Sequence, residues 1–484
     1  ANAVAARREL VGLSSRKKRD VLYSIAEYLE ESTEKILDIN RKEVERAKSL
    51  GRSIGFIERM EITERKLRRV IDACSVIAEM EDPIGEEISS WVRPNGLEII
   101  RRRVPIGVVG LCVETRPLVS LIAAAACIKT NNALVVVADE DSAESITALL
   151  SAVNEGLIAA GLPEYAIQFS CGENNLAEAR ILTSMEGLVD IGIVRGRRSF
   201  VDDLVEHAGI PLLKHSGGMC YAYIDESADI SKGVAVVLNS RCFDSFVCSA
   251  VDAVLVHESI AKDFCSELLK QAESYGAMNY VADECIREFI PDAREISAAD
   301  WVDETYDKNL VIGSISSLQD AISHINDNGS HLADVIISED EATQEKFVRN
   351  VDSAIIYINA STAFTDGAEF GVGSDIGIST DKLGARGPIC LADLTTTNNN
   401  ERVIFKSLGT NAQSWLLAEN TGGNFLKGTS GAGYASGIKL ESGKIVIQEK
   451  WDTSGSWRYL SFENNKFTSN TSGDKAALLY TYID

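Results

Sequence analysis

The feature that most constrains the fold is a regular alternation of short apolar runs with segments of helical periodicity between residues 104 and 359. The run from Val104 to Cys112 is followed by an apolar helical segment at 118–129 and by a second apolar run at 133–137. Parallel strands need crossover connections of about this length, so strands that alternate with helices indicate a parallel, doubly wound sheet. The sequence therefore predicts an α/β fold, with a helical N-terminal region before it.

Composition limits the classes of function. At 484 residues, with 45% hydrophobic and 25% charged residues, the chain has room for two or three globular domains. It contains no apolar run of about 18 residues, and its first residues lack the apolar region of a signal peptide, so we expect neither a membrane span nor secretion. The formal net charge of −24 argues against nucleic acid as a partner, because a phosphate backbone would be repelled.

The cysteines and histidines do not have the spacing of a metal site. The ten cysteines form no CxxC motif, and none of the five histidines has a partner at ligand spacing. This pattern indicates reduced thiols in the cytoplasm. We therefore predict no metal centre.

Residues 239–257 predict a loop that carries Cys248, followed by a buried strand from Ala253 to His257. A cysteine directly before a buried strand, among small and polar residues, can be held rigidly and still be reached by a ligand. Cys248 is therefore the candidate nucleophile. The alternative is that it packs as a small hydrophobic residue, as most intracellular cysteines do.

Charged residues follow two of the predicted strands. Glu114 and Arg116 stand at the end of the first apolar strand, and Arg195-Gly196-Arg197 opens a helix after a later strand. Ligands bind at the carboxyl ends of parallel strands, and a helix N-terminus can bind an anion through its N–H groups. These residues are therefore candidate ligand contacts. A salt bridge within the turn is the alternative role for Glu114 and Arg116.

The character of the sequence changes after Leu394. The polar stretch 395–400 reads as a linker, and residues 401–484 contain no proline or cysteine, 9 basic and 8 acidic residues, and three of the five tryptophans. Alternating segments at 414–418, 444–448, 458–462 and 478–483 predict a small all-β module. Its tryptophans either form a small core or a binding face, and its ligand stays unknown.

A series of motifs runs in order through the first 397 residues. They are Val104-Pro-Ile-Gly-Val-Val-Gly, Glu114-Thr-Arg-Pro117, Gly209-Ile-Pro-Leu-Leu-Lys-His215, Val247-Cys248, Val351-Asp-Ser-Ala, Asn359-Ala-Ser-Thr-Ala-Phe-Thr-Asp-Gly-Ala-Glu-Phe-Gly-Val-Gly, Ile376-Gly-Ile-Ser-Thr and Ala385-Arg-Gly-Pro388. Together they resemble the γ-glutamyl phosphate reductases (glutamate-5-semialdehyde dehydrogenases), a branch of the aldehyde dehydrogenase superfamily. The resemblance does not extend to residues 401–484.

The resemblance implies a domain organisation. It places a Rossmann-like cofactor-binding domain at 1–225 and a catalytic domain with the cysteine loop at 226–360. A glycine-rich return and oligomerisation segment follows at 361–397, and the linker and β module occupy 398–484. A homo-oligomer is implied as well.

The resemblance also implies a reaction, the reduction of L-glutamate 5-phosphate with NADP(H) to L-glutamate 5-semialdehyde and phosphate in proline biosynthesis. A thiolate at Cys248 would attack the anionic acyl phosphate, and the resulting thioester would accept a hydride. Asn359 and Glu369 would lie near the cofactor or the substrate, with Glu114 and Arg116 as further substrate contacts. Arg195, Gly196 and Arg197 would contact the cofactor.

The sequence departs from the family pattern at several places. The acidic turn Asp139-Glu140-Asp141 stands where the family has a basic turn, and Glu140 there would suit the 2′-hydroxyl of NAD(H); the three arginines at 195, 197 and 198 are the compensating candidates. Phe243-Asp-Ser245, Leu332 and Ala363 replace other family residues. Two alternatives therefore stay open. One is a catalytically impaired scaffold or binding module, and the other is an acyl-reducing enzyme of altered substrate with a pocket made by Phe243 and Phe246.

Overall fold

The computed structural model describes residues 1–170, 174–242, 247–275, 278–302, 309–367, 369–370, 375–382 and 384–396, together with strands between residues 402 and 470. The helices are α1 (Asn2–Leu10), α2 (Ser15–Glu31), α3 (Thr33–Ser49), α4 (Ile54–Met60), α5 (Glu64–Glu79), α6 (Pro117–Lys129), α7 (Ala143–Ala159), α8 (Asn175–Thr183), α9 (Arg198–His207), α10 (Ile230–Cys242), α11 (Ala261–Ala272), α12 (Glu284–Arg287), α13 (Leu318–Asn328) and α14 (Glu341–Asn350).

The strands up to residue 388 are β1 (Glu87–Val92), β2 (Leu97–Arg102), β3 (Val108–Val113), β4 (Ala133–Ala138), β5 (Ile167–Ser170), β6 (Ile191–Gly196), β7 (Leu212–Ser216), β8 (Cys220–Ile224), β9 (Val251–His257), β10 (Asn279–Ala282), β11 (Arg294–Glu295), β12 (Asn309–Ile315), β13 (Ala333–Ile337), β14 (Ile355–Ile358), β15 (Ile378–Ser379) and β16 (Gly387–Pro388). The later strands are β17 (Arg402–Ser407), β18 (Ser414–Ala418), β19 (Phe425–Thr429), β20 (Ala435–Glu441), β21 (Lys444–Lys450), β22 (Trp457–Glu463) and β23 (Lys466–Asn470).

The first parallel sheet has the strand order β5-β4-β3-β6-β7. All six residues of β3 are buried, because helices cover both faces of this central strand. The helix α6 is apolar on nearly all sides and packs against β3 and β4. The carboxyl ends of β3, β4 and β6 therefore meet at one edge, and the turns after them carry the predicted ligand contacts.

The second parallel sheet has the order β11-β10-β12-β9-β8-β13-β14. It places β9, which follows Cys248, between β12 and β8. The two sheets confirm the predicted α/β fold. The predicted boundary after residue 225 lies one strand too late, because β8 hydrogen-bonds to β9 and β13 of the second sheet and not to β7.

The N-terminal helices build a layer on the first sheet. Ser14 caps α2 by accepting a hydrogen bond from the Lys17 N–H at 3.2 Å. The helix α2 packs against α5 and α7. Gly156 permits the close approach of α7, because a Cβ there would lie 2.7 Å from the Ile25 Cα.

Residues 85–104 and 399–484 form a second compact unit. In it, the hairpin β1–β2 continues into β17 as an antiparallel three-stranded sheet, and β18 to β23 form an antiparallel sheet in chain order. The hairpin lies inside the segment 1–225 that the sequence assigned to the cofactor domain. It groups with the C-terminal residues because its second strand pairs with β17. Of the predicted tail segments, 414–418, 444–448 and 458–462 coincide with strands, and 478–483 lies outside the described residues.

Candidate active site

The candidate nucleophile sits on a turn held from three directions. Cys248 is half-buried in the turn 247–250, where the Ala250 N–H donates to the Val247 carbonyl at 3.1 Å. The Cys220 thiol at the start of β8 donates to the Cys248 carbonyl oxygen at 3.2 Å. The Thr362 hydroxyl donates to the carbonyl oxygen of Ser249. The backbone around Cys248 is thus fixed by contacts that leave the side chain at a cavity wall.

Two cavities meet at Cys248. The larger has a volume of about 410 Å³ and the smaller about 30 Å³, and Arg116, Arg195 and Cys248 line both. Arg116 is the residue directly before α6, and Arg195 pairs across the sheet with Val113. Adjacent parallel strands thereby bring two guanidinium groups to one thiol. Positive charge beside a thiol favours the nucleophilic thiolate.

Arg195 is the more firmly held of these two arginines. Its Nη1 donates to the carbonyl oxygen of Ile376, and its Nε is buried without a hydrogen-bond partner within the described part of the chain. A half-buried guanidinium with an unpaired Nε–H is prepared to bind an anion, since leaving that donor unpaired costs free energy.

A neutral histidine completes the wall of the smaller cavity. Burial, with further contributions from the positive charges of Arg195 and Arg116, lowers the pKa of His215 to about 3. Its Nδ1 lies 2.9 Å from the amide nitrogen and 2.7 Å from the carbonyl oxygen of Ile378. His215 therefore stays uncharged at neutral pH and adds no third positive charge beside Cys248.

Glu114, a predicted substrate contact, stands in the turn after β3 and reaches the turn after β6. Its carboxylate accepts hydrogen bonds from the Arg197 N–H at 2.9 Å and from the Arg197 Nη2 at 3.0 Å. Gly196 is needed for this contact, because a Cβ there would lie 2.6 Å from the Glu114 carboxylate and 2.8 Å from Phe200. The salt bridge of Glu114 therefore joins two turns of the sheet edge, and its partner is Arg197.

A model of the aldehyde dehydrogenase family matches residues 1–286. The chain belongs to the aldehyde dehydrogenase family. The γ-glutamyl phosphate reductase of Carboxydothermus hydrogenoformans is 38% identical over 395 residues, which cover 82% of this chain and 95% of that protein. The enzyme of the same name from Caldanaerobacter subterraneus is 34% identical over 394 residues and covers 81% of this chain and 95% of its own.

A solved structure agrees with these relatives. The γ-glutamyl phosphate reductase of Thermotoga maritima superimposes with a TM-score of 0.76 at 32% identity, covering 86% of this chain and 98% of its own. The resemblance drawn from the sequence motifs to the γ-glutamyl phosphate reductase branch of the aldehyde dehydrogenase family is thereby confirmed.

The acidic turn after β4 leaves one carboxylate exposed for a ligand. Asp139 is buried and accepts hydrogen bonds from the Ser142 N–H at 2.9 Å and from the Thr115 N–H, and Asp141 pairs with Arg52 at 2.8 Å. Glu140 is exposed. An acidic residue at the end of this strand suits the ribose hydroxyls of a dinucleotide, so this edge of the aldehyde dehydrogenase fold fits the cofactor.

The structure does not place the compensating arginines at this turn. Arg195 lies at the end of β6 and Arg197 and Arg198 follow that strand, whereas the acidic turn follows β4. The guanidinium group at the acidic turn belongs to Arg52 and reaches it from the segment between α3 and α4. Sequence reasoning missed Arg52 because it stands 89 residues before its partner.

Asn359 and Glu369 do not line either cavity. Asn359 adopts a φ of 53° and binds the backbone of Ser338, accepting from its N–H at 3.1 Å and donating to its carbonyl at 2.9 Å. It therefore joins the ends of β13 and β14. Glu369 is exposed in a turn. Phe243 and Phe246, the expected walls of an altered pocket, lie outside the described residues.

Two groups of residues at the cavities were not predicted. The larger cavity is bounded by the helix face Lys66, Arg69, Val70, Ala73 and Val76 of α5, and by Asp366 and Asp375. The helical spacing of the α5 residues is a signal that the sequence contained. Arg59 of α4 lines the smaller cavity. Among the residues that the structure describes, no helix combines the length and apolarity of a membrane span, and no cluster of three metal-ligand side chains forms.

Proposed function

We propose that this chain reduces L-glutamate 5-phosphate to L-glutamate 5-semialdehyde, with release of phosphate, through a thioester at Cys248. The observation that carries the proposal is the position of Cys248 between two cavities with Arg116 and Arg195 beside it. Relatives named for this reaction cover most of the chain.

The chemistry follows from these groups. The Cys248 thiolate attacks the acyl carbon, the bond to the phosphate oxygen breaks, and phosphate leaves with the electron pair. Arg116 and Arg195 stabilise the anionic phosphate through charge-assisted hydrogen bonds, each of which contributes about 1.5–3 kcal/mol. The bound nicotinamide cofactor supplies the hydride that converts the thioester into the aldehyde and regenerates the thiolate.

The cofactor is proposed to lie along the edge formed by the turns after β4 and β6. Glu140 would accept hydrogen bonds from the ribose, and the exposed side chain of Arg197 would contact the phosphates, with Glu114 positioning Arg197. The family favours NADP(H), whereas the acidic turn favours NAD(H). A homo-oligomer in the cytoplasm completes the proposal, and sedimentation of the full chain measures the oligomeric state.

The test is the phosphate-dependent oxidation of glutamate 5-semialdehyde with NADP+ and with NAD+, for the wild type and for Cys248→Ala. We expect activity in the wild type and none in Cys248→Ala, because the covalent step needs the thiol. Cys285→Ala, at an exposed cysteine, is the matched control and should retain activity. Absence of activity with either cofactor, in protein shown to be folded by circular dichroism, would favour the scaffold alternative.

A further inference from the structure

The larger cavity is lined by further charged groups besides the arginines at Cys248. Arg69 on α5 places its Nη2 2.9 Å from the Asp366 carboxylate, and Asp375 lines the same cavity. The Gly367 N–H donates to Asp375 Oδ1 at 3.0 Å, so Asp375 is bonded to the residue that follows Asp366. One cation and two carboxyl groups from segments almost 300 residues apart thus share one cavity with Cys248.

The helix α5 is built to present this charge. Leu67, Ile71 and Cys74 face the core, while Lys66, Arg69, Val70, Ala73 and Val76 line the cavity. Lys66 is already engaged, because its ammonium donates to the carbonyl oxygens of Glu58 at 2.8 Å and of Glu61 at 3.1 Å. Arg69 is therefore the cation of α5 that can exchange its partner for a ligand.

The surroundings of Asp375 favour the binding of a cation next to its carboxyl group. Burial raises the pKa of this carboxyl group, and the positive charge of Arg195 and the Gly367 N–H oppose the rise only in part. A buried carboxylate gains free energy when a cation binds next to it, since the cation compensates the lost hydration.

We propose that Arg69, Asp366 and Asp375 bind the α-amino acid end of the glutamyl substrate and so select α-amino acids over simple aldehydes. Arg69 receives the α-carboxylate, and the two aspartates receive the α-ammonium. The ion pair between Arg69 and Asp366 satisfies both groups before the substrate enters, and a zwitterion can insert between them without leaving a charge unpaired. This assignment rests on the proposed function.

The remaining lining of the cavity fits the rest of the substrate. Val70, Val119 and Ile122 provide apolar surface for the methylene groups between the amino acid end and the carbon that reacts. The reacting carbon then lies toward Cys248, and the phosphate lies toward Arg116 and Arg195.

The experiment compares three aldehydes of matched length in the phosphate-dependent oxidation. Glutamate 5-semialdehyde carries both charged groups, 5-oxopentanoate lacks the ammonium, and 4-aminobutanal lacks the carboxylate. Arg69→Ala should lower kcat/KM about tenfold or more for the two carboxylate-bearing aldehydes and leave 4-aminobutanal within about twofold. Asp375→Asn should lower kcat/KM for the two ammonium-bearing aldehydes and leave 5-oxopentanoate nearly unchanged.

Two exposed residues provide matched controls. Arg68→Ala removes a neighbouring cation of α5 that contacts Glu64 at 3.8 Å, and Asp202→Asn removes an acid of α9. Both should leave all three aldehydes unaffected. A variant that only destabilises the protein would lower the rates with the three aldehydes by one common factor.

Suppose that the wild type is active and that Arg69→Ala and Asp375→Asn either change nothing or lower the rates with all three aldehydes by one common factor. That result would overturn the inference and leave the proposed function standing. If the wild type is inactive, the proposed function fails, and calorimetric titration with L-glutamate and with glutarate tests the inference. Tighter binding of L-glutamate that Arg69→Ala and Asp375→Asn abolish would support it. Equal binding of the two ligands would overturn it.

Discussion

The turns after β4 and β6 differ in which of their charges are already paired. Both carry clustered charge at the same edge of one sheet, and both were predicted to contact the cofactor. In the structure, Asp141 is paired with Arg52 and Arg197 with Glu114, so each turn has already used one of its charges. The charges that remain are of different kinds. Glu140 is exposed after β4, whereas Arg195 is held at the end of β6 with a buried donor at the cavity wall.

This difference separates two tasks. Water screens an exposed carboxylate such as that of Glu140 while no ligand is present. Its effect is therefore on which ligand binds from solvent. A half-buried guanidinium with a fixed position, such as that of Arg195, acts on the charge that develops in the reaction, since its environment is already organised around it. The chemical step should therefore depend on the turn after β6, and cofactor choice on the turn after β4.

The largest expected effect comes from Arg195→Gln. This variant removes the charge beside Cys248 but keeps a polar side chain, and kcat/KM should fall about 100-fold, as is typical when one charge-assisted hydrogen bond to the reacting group is lost. Arg198→Gln, whose side chain is exposed and lies 3.7 Å from Asp202, is the control. Equal losses in both variants would show that the position of Arg195 has no special importance.

The next effect is on cofactor choice. Glu140→Gln should raise KM for NAD+ about tenfold and lower KM for NADP+, because the lost carboxylate accepts hydrogen bonds from a ribose hydroxyl and repels a 2′-phosphate. Steady-state kinetics with both cofactors measure the change. Glu144→Gln, which removes a carboxylate paired with Arg46, serves as control. Unchanged values of KM would remove Glu140 from the cofactor site.

A smaller effect is expected on stability. Glu114→Gln weakens the hydrogen bonds to Arg197 and should lower the free energy of unfolding by about 1 kcal/mol, since Arg197 is largely exposed and water screens the pair. Urea unfolding measures it. A loss of several kcal/mol would mean that the turn after β6 depends on this pair far more than its exposure indicates.

The smallest effect concerns pH. Burial raises the pKa of Asp139 above its ordinary value of 3.8, against the hydrogen bonds from Ser142 and Thr115. The folded protein therefore keeps this proton to a higher pH than the unfolded chain, and the free energy of unfolding falls as pH rises from about 4 through the folded pKa. Asp139→Asn should flatten this part of the stability profile. An unchanged slope would show that Asp139 does not titrate in this range.

Much of the fold was readable from local patterns. The α/β alternation and the strand after Cys248 depend on residues close together in the chain, where periodicity acts directly. The boundary near residue 225 was placed too late because an apolar strand such as β8 carries no mark of the sheet that it joins. The pairing of the hairpin at 85–104 with β17 was likewise absent from the local pattern.

Some residues of the candidate site could likewise be named from the sequence, and others could not. Cys248, Arg116 and Arg195 could be named because motifs and strand ends point to them. Asn359 was expected near a ligand, yet its amide binds the Ser338 backbone, a contact that depends on how β13 and β14 pair. Arg69 gave no signal beyond helical spacing, since its partner Asp366 lies 297 residues later.

The sequence by itself determined which elements form, which cysteine precedes a central strand and which family the chain belongs to. These properties depend on neighbouring residues and on the order of motifs along the chain. Tertiary structure alone decided which charges are paired and which remain available to a ligand. Charges such as those of Glu114 and Arg197, or of Asp141 and Arg52, stand more than 80 residues apart in the chain. Coulomb energy depends on distance in space, and only the packed sheets set that distance.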